Sequence, residues 1–348
     1  MPKDVLGFGI VGCGLVSQFH GKAIGATRGA VLISAADTNQ ERLGRFCAEF
    51  GCEAASSFDS MLSDPRIDVI NVLTPNAYHA LFAIPALQAR KHVIVEKPPE
   101  MTLEKTDAMI AEAKQCGVKL QVSLQVRFRK AVEAIHKAIA DGRFGRLLSG
   151  DAYMKWFRAT DYYLMDEWRS NRDEGAGVTI QHAFHYIDLL CYLMGPVKTV
   201  EARMRNLAHP QVQLEDTLQA FLEYESGACG TVQASTALWP GSDIRIEING
   251  EDGTAIMQGE RITTWQFREE LPEDDEVRKI GSGQIVATAD GTGDFAFVEH
   301  QYMTENFVRA VKYGEPLRIP CESARGSLEL ALAMYRSADG GREVSLPL

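Results

Sequence analysis

The chain has 348 residues, of which 45% are hydrophobic and 24% are charged, an ordinary balance for a globular protein with two domains. Its 36 basic and 47 acidic residues give a formal net charge of −11, which opposes non-specific binding to nucleic acid or to an anionic membrane. We recognise no export signal, and no apolar run approaches the roughly 20 residues needed to cross a bilayer, so we expect a cytoplasmic protein.

The first third of the chain alternates short apolar runs with segments of helical periodicity. Fully apolar strands between helices predict a parallel sheet that is covered on both faces. The predicted strands are residues 6–11, 31–36, 69–73, 93–95 and 120–124. The predicted helices are residues 40–50, 77–89 and 103–116, with a further helix directly after residue 17.

The pattern changes after residue 123, where strand-like segments are separated by turn signals. The turns Glu225-Ser226-Gly227 and Gly250-Glu251-Asp252-Gly253 are typical of hairpins and predict a large, mostly antiparallel sheet. Its predicted strands are residues 199–206, 213–223, 229–236, 243–249 and 254–258, and the predicted helices are 130–140, 182–194, 295–313 and 323–337. The polar segment 268–293 is expected to be exposed and irregular. We therefore predict an α/β domain over residues 1–123 and an α+β domain over residues 124–348.

A glycine-rich loop, Gly12-Cys13-Gly14-Leu15-Val16-Ser17, follows the first predicted strand and leads into a helix. The glycines permit a tight turn and a close backbone approach to a pyrophosphate, which the helix N-terminus then faces. Ser17 stands where a third glycine is usual, and a small residue suffices there. The position at the start of a βαβ unit predicts a dinucleotide-binding loop.

A carboxylate, Asp37, follows the second predicted strand. From there it can accept hydrogen bonds from the adenosine ribose hydroxyls, and it repels a 2′-phosphate. The next residues, Thr38 and Asn39, supply no arginine that would neutralise such a phosphate. We therefore expect NAD rather than NADP. A second use of Asp37 is to cap the helix that begins at Gln40, and the two uses are compatible.

Two further loops follow predicted strands at the same carboxyl edge of the sheet, where ligands bind in open α/β sheets. Thr74-Pro75-Asn76 and the nearby His79 are either cofactor neighbours or an ordinary loop in which Asn76 caps the next helix. Glu96-Lys97-Pro98-Pro99 contains a lysine whose pKa confinement would lower, which suits proton exchange with a hydroxyl. The alternative is a surface lysine in a proline-rich turn.

A third candidate segment begins at Gly175-Ala176-Gly177 and continues into a helix. Gln181, His185 and Asp188 are spaced four and three apart, so they share one helix face. Histidine side chains as a class titrate near neutral pH, so His185 is a candidate to exchange a substrate proton, while Asp188 orients it or caps local structure. The alternative is a structural histidine in an interior helix.

Together these motifs resemble the glucose–fructose oxidoreductase / inositol dehydrogenase (Gfo/Idh/MocA) family over nearly the whole chain. The resemblance rests on the Gly12-x-Gly14 start, Glu96-Lys97-Pro98, His185-x-x-Asp188 and the C-terminal segment 327–338. It implies an N-terminal, doubly wound Rossmann domain and a C-terminal α+β domain whose open antiparallel sheet mediates homodimers or homotetramers. The implied reaction is hydride transfer between nicotinamide and a secondary alcohol of a sugar or cyclic polyol.

The resemblance also implies roles for individual residues. Lys97 would position the substrate hydroxyl and relay its proton, and His185 would act as general base in oxidation and as acid in reduction. Gln181 stands where many members have Asp or Asn. A neutral amide can hydrogen-bond a hydroxyl, but it cannot stabilise an imidazolium as a carboxylate does.

An aromatic and arginine-rich stretch lies between these motifs. Trp156-Phe157-Arg158, Tyr162-Tyr163 and Trp168-Arg169 resemble the pattern of members that act on sugars and nucleotide sugars. Aromatic faces suit sugar C–H surfaces, and arginines suit carboxylates or phosphates. Alternatively, Trp168 and Arg169 touch the cofactor, or the aromatic residues simply pack the domain junction.

The candidate sites can now be stated. The cofactor candidates are Gly12, Gly14, Leu15, Val16, Asp37, Thr74, Pro75, Asn76, His79, Glu96, Lys97, Trp168 and Arg169. The substrate candidates are Lys97, Arg127, Arg158, Tyr163, Gln181 and His185, of which Lys97 and His185 are the catalytic candidates. Seven widely spaced cysteines without a Cys-x-x-Cys pair give no sign of a metal site or a disulfide framework.

Three alternatives to a sugar or polyol dehydrogenase remain open. The first is a dihydrodiol dehydrogenase, and the second is an NAD-assisted glycoside-cleaving enzyme. The third is a non-catalytic dinucleotide sensor, against which the presence of both Lys97 and His185 argues.

Overall fold

The computed structural model describes residues 4–175, 177–281 and 297–348. The chain divides into two units, the first of Met1–Gln125 with Phe295–Arg325 and the second of Val126–Asp294 with Gly326–Leu348. The division at residues 123/124 made from sequence differs from these units, because the segment 295–325 returns to the first unit. None of the helices in the described ranges is long and apolar enough to cross a bilayer.

The secondary structure alternates along the first unit and is rich in strands in the second. The strands are β1 (Leu6–Val11), β2 (Ala30–Ala36), β3 (Glu53–Ala54), β4 (Val69–Val72), β5 (His92–Val95), β6 (Leu120–Val122), β7 (Leu147–Lys155), β8 (Val197–Arg205), β9 (Thr217–Tyr224), β10 (Cys229–Ser235), β11 (Arg245–Gly250), β12 (Gly253–Gln258), β13 (Arg261–Phe267) and β14 (Val344–Ser345). The helices are α1 (Ser17–Ala26), α2 (Gln40–Phe50), α3 (Phe58–Ser63), α4 (His79–Gln88), α5 (Leu103–Cys116), α6 (Lys130–Ala140), α7 (Thr160–Leu164), α8 (Phe184–Met194), α9 (Asp274–Arg278), α10 (Val298–Tyr313) and α11 (Cys321–Gly340).

The first unit is built on a parallel sheet with strand order β3-β2-β1-β4-β5-β6. All residues of β1 and β4 are buried, because helices cover such a sheet on both faces. The strand order reverses between β1 and β4. The loops that follow these two strands therefore border the crevice where open α/β sheets bind ligands.

The second unit contains an eight-stranded sheet in the order β13-β12-β11-β7-β10-β9-β8-β14. Every neighbouring pair is antiparallel except β7 and β10, which run parallel. The predicted hairpins β9–β10 and β11–β12 are confirmed. The predicted fold class, a parallel α/β sheet followed by a mostly antiparallel one, is confirmed as well.

Three strands of this sheet, β7, β13 and the two-residue β14, are absent from the sequence-based prediction. A glycine interrupts the apolar alternation of β7, because a Cβ on Gly150 would lie 2.4 Å from Cγ of Met194 at the end of α8. In β13 the pairing with β12 shifts register between Ile256 and Met257, which breaks a simple alternation.

The segment 268–293 is mostly exposed in its described part, which ends at Gly281, but the prediction that it is irregular is wrong at α9. Asp274 at the start of this helix is fully buried, accepting hydrogen bonds from Arg143 Nη1 at 2.6 Å and from Trp265 Nε1 at 2.6 Å. These contacts hold α9 against the sheet. Residues 282–293 lie outside the described residues.

Candidate functional site

The loop after β1 turns sharply at Gly12. This residue has φ +95°, its N–H donates to Ala36 O at 2.8 Å, and a Cβ here would lie 2.6 Å from Leu73 O. The loop therefore passes directly over the end of β4. Glycine is required at this position by the protein's own backbone, whether or not a ligand is bound.

Gly12→Ala is expected to lower the free energy of unfolding by about 1–3 kcal/mol, because it combines a left-handed φ with a backbone collision. Chemical denaturation measures the change, and NAD affinity should fall with it. Gly44→Ala is the matched control, since Gly44 lies inside α2 with no atom within 4 Å of its Cβ position. That variant should be neutral or more stable by up to about 1 kcal/mol. Equal stability of Gly12→Ala and wild type would contradict the steric account.

Gly14 has a different environment from Gly12. A Cβ at Gly14 would meet nothing closer than Arg42 Nη1 at 3.9 Å, so the surrounding protein does not require glycine there. Ser17 opens α1, is fully buried, and its hydroxyl donates to Gly14 O at 2.6 Å. Leu15 is 65% exposed and Val16 is half-buried. The open space at the N-terminus of α1 fits the close approach of a pyrophosphate.

Asp37 lies beside this loop. Its Oδ2 accepts from Cys13 N–H at 2.7 Å, and its Oδ1 accepts from Asn39 N–H at 2.7 Å. Each oxygen keeps a second lone pair, which fits a ribose hydroxyl. The cap of α2 is supplied by the Asn39 side chain, which accepts from Arg42 N–H, and not by Asp37. The alternative use of Asp37 as the helix cap is therefore wrong.

The loop after β4 carries a buried polar atom that has no partner in the protein. Thr74 Oγ1 is buried and makes no hydrogen bond with any part of the chain that the structure describes. Pro75 and Asn76 follow, and Asn76 begins a short 3₁₀ turn with only 8% of its surface exposed. An orphaned hydroxyl at the switch point of the sheet fits a bound dinucleotide.

His79 ties this loop to the one after β5. The ring is fully buried, with Nε2 3.0 Å from Thr74 O and Nδ1 2.8 Å from Pro98 O. Burial lowers the pKa of His79, so the neutral ring donates to one carbonyl at a time. His79 therefore connects the loop after β4 to the loop after β5 through its buried ring. Its direct contact with a cofactor stays a prediction.

Glu96, directly after β5, is 8% exposed and uses both carboxylate oxygens. Oε2 accepts from Lys97 N–H at 3.1 Å, and Oε1 lies 3.0 Å from His20 Nε2. Asn71 Nδ2 donates to His20 Nδ1 at 3.0 Å, so Nε2 carries the proton that His20 donates to Glu96. Burial raises the pKa of Glu96, but the His20 hydrogen bond and neighbouring charges outweigh it, and the net pKa is well below its ordinary value.

Lys97 stands at the carboxyl edge of the sheet and is half-buried as a whole residue. Burial lowers the pKa of its ammonium group, and the Glu96 charge opposes that effect. The direction agrees with the sequence-based expectation. A lysine with a depressed pKa is suited to take a proton from a hydroxyl and to return it.

One group of potential metal donors occurs among the described residues: His20, Glu96 and His300, all buried, with donor atoms within 4.8 Å of one another. His20 and Glu96 are already joined by a hydrogen bond. Burial lowers the pKa of His300 to about 3, so its ring stays neutral, and it lies edge-on to His20 with ring centroids 5.2 Å apart. The hydrogen bond joins only His20 and Glu96, and His300 belongs to the group through its ring contact with His20.

In the second unit, residues Val178–His182 form a π-helical turn before α8. Gly177 precedes it with φ +105°, and a Cβ there would lie 2.4 Å from Glu215 Oε1. Helical structure therefore begins upstream of the predicted start at residue 182, with a π-helical turn that precedes α8. The turn places Gln181 so that its Nε2 donates to the Tyr162 hydroxyl at 2.9 Å.

His185 and Asp188 both lie on α8 but differ in their surroundings. His185 is half-buried, whereas Asp188 is fully buried and bound to Arg127. Arg127 Nε donates to Asp188 Oδ2 at 2.8 Å, Arg127 Nη2 donates to Oδ1 at 2.5 Å, and Ser327 Oγ donates to Oδ1 at 2.7 Å. Arg127 is only 2% exposed and lies over the ring of Tyr192. This guanidinium is engaged within the protein.

Tyr163 is also engaged within the protein. It is 1% exposed, its hydroxyl is 2.6 Å from Thr236 Oγ1, and its ring packs with Val212 and Leu214. The neighbouring Tyr162 is the one that contacts Gln181. Substrate binding by Arg127 and Tyr163 stays a prediction, and the geometry gives both residues structural contacts.

Arg158 and Arg169 gather around the ring of Tyr162. The Arg158 guanidinium carbon lies 5.5 Å from the centroid of this ring and 5.1 Å from that of Trp156. That of Arg169 lies 4.6 Å from the Tyr162 centroid and 4.8 Å from the Trp168 centroid. Both arginines are buried, at 7% and 9% exposure. We call these five residues the arginine–aromatic cluster.

Two residues at the site, His20 and Arg42, were missed from sequence, and Tyr162 was named in the aromatic stretch but not among the site candidates. His20 lies one turn after Ser17 on the buried face of α1, and this spacing is the one signal that would have pointed to it. Arg42 lies in the first turn of α2, where a residue can reach back to the Gly14 loop. Tyr162 could not be told from Tyr163 by pattern.

Comparisons with known proteins agree over both units. Residues 6–124 match the oxidoreductase family with an NAD-binding Rossmann fold, and residues 132–256 match the GFO/IDH/MocA C-terminal domain. The chain is similar to a scyllo-inositol 2-dehydrogenase (NAD⁺) of Bacillus subtilis, with 30% identity covering 71% of this chain and 72% of that protein. It is also similar to a myo-inositol 2-dehydrogenase of Thermotoga maritima, with 26% identity covering 97% and 98%.

Among solved structures, the WlbA dehydrogenase of Bordetella pertussis in complex with NADH and UDP-GlcNAcA is similar along the entire chain. Its TM-score is 0.89 and its identity is 32%, covering 100% of this chain and 99% of that one.

Proposed function

The chain belongs to the Gfo/Idh/MocA family of NAD-binding oxidoreductases, and we propose that Lys97 and His185 carry its reaction on a sugar, nucleotide sugar or cyclic polyol. It is an NAD-dependent dehydrogenase that acts on CH–OH groups. The names of its relatives, two inositol dehydrogenases and a protein bound to UDP-GlcNAcA, support this range of substrates.

One observation carries the proposal: a lysine with a pKa lowered by burial lies directly beyond β5, the strand next to the sheet's switch point. Lys97 Nζ takes the hydroxyl proton during oxidation and returns it during reduction. Glu96 holds the Lys97 backbone N–H, and His79 holds Pro98 O, so the loop is fixed before substrate arrives. Bound NAD⁺ supplies the acceptor for the hydride that leaves the carbinol carbon.

The residues around the cofactor candidates fit a dinucleotide. The open space at Gly14 receives the pyrophosphate at the N-terminus of α1, and the Asp37 oxygens accept from the adenosine ribose. The Thr74 hydroxyl, which has no partner among the described residues, is a further ligand. Lys97 relays the proton of the substrate hydroxyl, and His185 is proposed as the final general base in oxidation and the acid in reduction, on the family resemblance and its half-buried position on α8.

The test is NADH absorbance with a panel of inositols, sugars, nucleotide sugars and cyclic diols, each offered with NAD⁺ and NADP⁺. Turnover of at least one sugar or polyol by the wild type, lost in Lys97→Met, supports the proposal. Glycoside cleavage without net NADH would favour the redox-neutral cleaving enzyme. Tight NAD binding without turnover of any compound would contradict the proposed reaction.

Cofactor choice follows from Asp37 and Arg42 together. Asp37→Ser removes the carboxylate that repels a 2′-phosphate and leaves the Arg42 guanidinium near the loop to attract it. We expect kcat/KM with NADP⁺ to rise about tenfold or more and that with NAD⁺ to fall. Adding Arg42→Gln should abolish the gain. Unchanged selectivity in Asp37→Ser would assign the preference to other residues.

The chain is further proposed to act in the cytoplasm as a homodimer or homotetramer. All seven cysteines are free thiols, which suits a reducing compartment. The outward side of β9 presents Phe221 with 53% of its surface exposed, which suits burial against a second copy. Light scattering coupled to size-exclusion chromatography measures the mass, and Phe221→Glu should lower it if this face is used. A wild-type monomer would refute the assembly.

A further inference from the structure

Arg158 is a buried cation without a counter-ion in the protein. It is 7% exposed, its Nη1 donates to the neighbouring carbonyl, Phe157 O, at 2.9 Å, and its side chain also hydrogen-bonds the Tyr162 hydroxyl, which is a neutral partner. Within the described ranges, no carboxylate lies within salt-bridge distance of its guanidinium. Buried charges in proteins are almost always paired, because leaving water without a partner is costly.

The other buried arginines in the described ranges are paired with carboxylates. Arg127 forms a double hydrogen bond with Asp188, Arg169 donates to Asp166, and the half-buried Arg143 donates to Asp274 from both Nη atoms. Arg158 has no such carboxylate partner, although hydrogen bonds fix its backbone. Its N–H donates to Thr236 O at 2.8 Å, and its carbonyl lies 2.8 Å from His209 Nε2. These two backbone hydrogen bonds fix the position of Arg158 next to the end of β10.

Arg169 adds a second positive charge over the ring of Tyr162. Its Nε donates to Asp166 Oδ2 at 3.1 Å, and the Asp166 side chain is 35% exposed. Asp166 therefore pairs with Arg169 alone, and the positive charge of Arg158 has no counter-ion within the arginine–aromatic cluster. Desolvation by burial raises the pKa of Tyr162, so its hydroxyl stays protonated beside them.

The cluster also contains the neutral groups that a sugar needs. Gln181 Nε2 donates to the Tyr162 hydroxyl at 2.9 Å, so the phenol proton points toward another acceptor. The rings of Trp156 and Trp168 offer flat apolar faces beside the two cations. A neutral polyol would match these faces but would leave the Arg158 charge buried and uncompensated.

We propose that Arg158, with Arg169 beside it, binds an anionic group on the sugar substrate. The ligand chemistry is an oxyanion, a carboxylate or a phosphate, which a guanidinium binds with two parallel hydrogen bonds. This inference rests on the proposed function for the identity of the substrate as a sugar. It narrows that range from neutral polyols to sugar acids or sugar phosphates, including nucleotide sugars.

The test measures binding to the NADH-loaded enzyme by calorimetry, which separates recognition from turnover. Four compounds share one sugar ring and differ in their anionic groups: D-glucose has none, D-glucuronate has a carboxylate, D-glucose 1-phosphate has a phosphate, and D-glucuronate 1-phosphate has both. We expect the wild type to bind at least one anionic compound about tenfold or more tightly than glucose. Preference for glucuronate identifies the carboxylate as the recognised group, and preference for glucose 1-phosphate alone identifies the phosphate.

Variants assign the preference to Arg158. Arg158→Gln should lose it, and Arg158→Lys should retain part of it, because the charge remains while the planar fork is gone. Arg261→Gln is the matched control, since Arg261 is paired with Asp243 at 3.0 Å on β13, and it should behave as wild type. If Arg158→Gln fails to fold, the partial loss in Arg158→Lys decides the question.

Two results would overturn the inference: no anion preference in the wild type, or an undiminished preference in both Arg158 variants. Turnover with NAD⁺ is followed in parallel, so that the two proposals fail separately. Oxidation of myo-inositol without any anion preference would keep the proposed function and reject the anion site. An anion preference lost in Arg158→Gln without oxidation of any compound would keep the site and reject the function.

Discussion

Replacing Lys97 with methionine is expected to lower kcat for alcohol oxidation by about two to four orders of magnitude, the usual contribution of a positioned proton-transfer group. Methionine keeps the length and burial of the side chain but can neither accept nor donate the hydroxyl proton. NAD affinity should fall far less than kcat, because most of the dinucleotide candidates lie on the loops after β1, β2 and β4, away from the substituted side chain. Steady-state kinetics and NADH titration measure the two quantities on one preparation.

The pH profile identifies the group that is lost. Burial lowers the pKa of Lys97, and the neutral amine is the form that accepts a proton, so oxidation by the wild type should rise with pH through that pKa, below 10.5. Reduction needs the protonated form and should fall over the same interval. Lys97→Met should lack this pH-dependent change in rate in both oxidation and reduction. Lys114 lies on α5 and forms an exposed ion pair with Glu322 on α11. Lys114→Met breaks this pair, serves as the control and should match the wild type. Full turnover in Lys97→Met would refute the assignment.

Removing Asp188 is expected to cost about 3–5 kcal/mol of unfolding free energy, because it leaves the Arg127 guanidinium buried without a counter-ion. Asp188→Ala also takes the acceptor from Ser327 Oγ. Urea denaturation followed by circular dichroism measures the loss. A change below about 0.5 kcal/mol, the range of ordinary surface substitutions, would show that water or a rearranged neighbour compensates the charge.

The double variant Arg127→Met with Asp188→Leu separates charge burial from packing. Replacing both partners of a buried ion pair by apolar residues is often neutral or stabilising. The double variant should therefore recover most of the unfolding free energy that Asp188→Ala loses. A double variant as unstable as the single one would mean that the shape of the pair matters more than its charge.

The elements that sequence predicted well are those whose pattern is local. The predicted helices 40–50, 103–116 and 130–140 coincide with α2, α5 and α6, because each has a polar start or a clear stop within its own sequence. Asn39 and Thr102 cap the first two, and Gly51 and Gly117 end them in the left-handed conformation. In contrast, β7 depends on partners 80 or more residues away, which no local pattern reveals.

The same distinction applies to the candidate site. Gly12 and Lys97 could be found from sequence because each follows an apolar strand directly. Arg127 resembled a free ligand in sequence, yet its partner Asp188 is 61 residues away. The His20–Glu96 contact spans 76 residues, so its effect on the lysine loop could not be predicted. Long-range pairing decides whether a polar residue serves the protein or a ligand.

The return of residues 295–325 to the first unit has a consequence for synthesis of the chain. α1, which opens behind the Gly12 loop, packs against α10, where His300 and Phe19 stack with ring centroids 5.6 Å apart. α1 ends at residue 26 and α10 begins at residue 298. At roughly 5–20 residues per second, the ribosome releases α10 roughly 15 to 55 seconds after α1. During that interval the first unit of the nascent chain has one side of α1 exposed. A chain that terminates before α10 would leave that side exposed permanently.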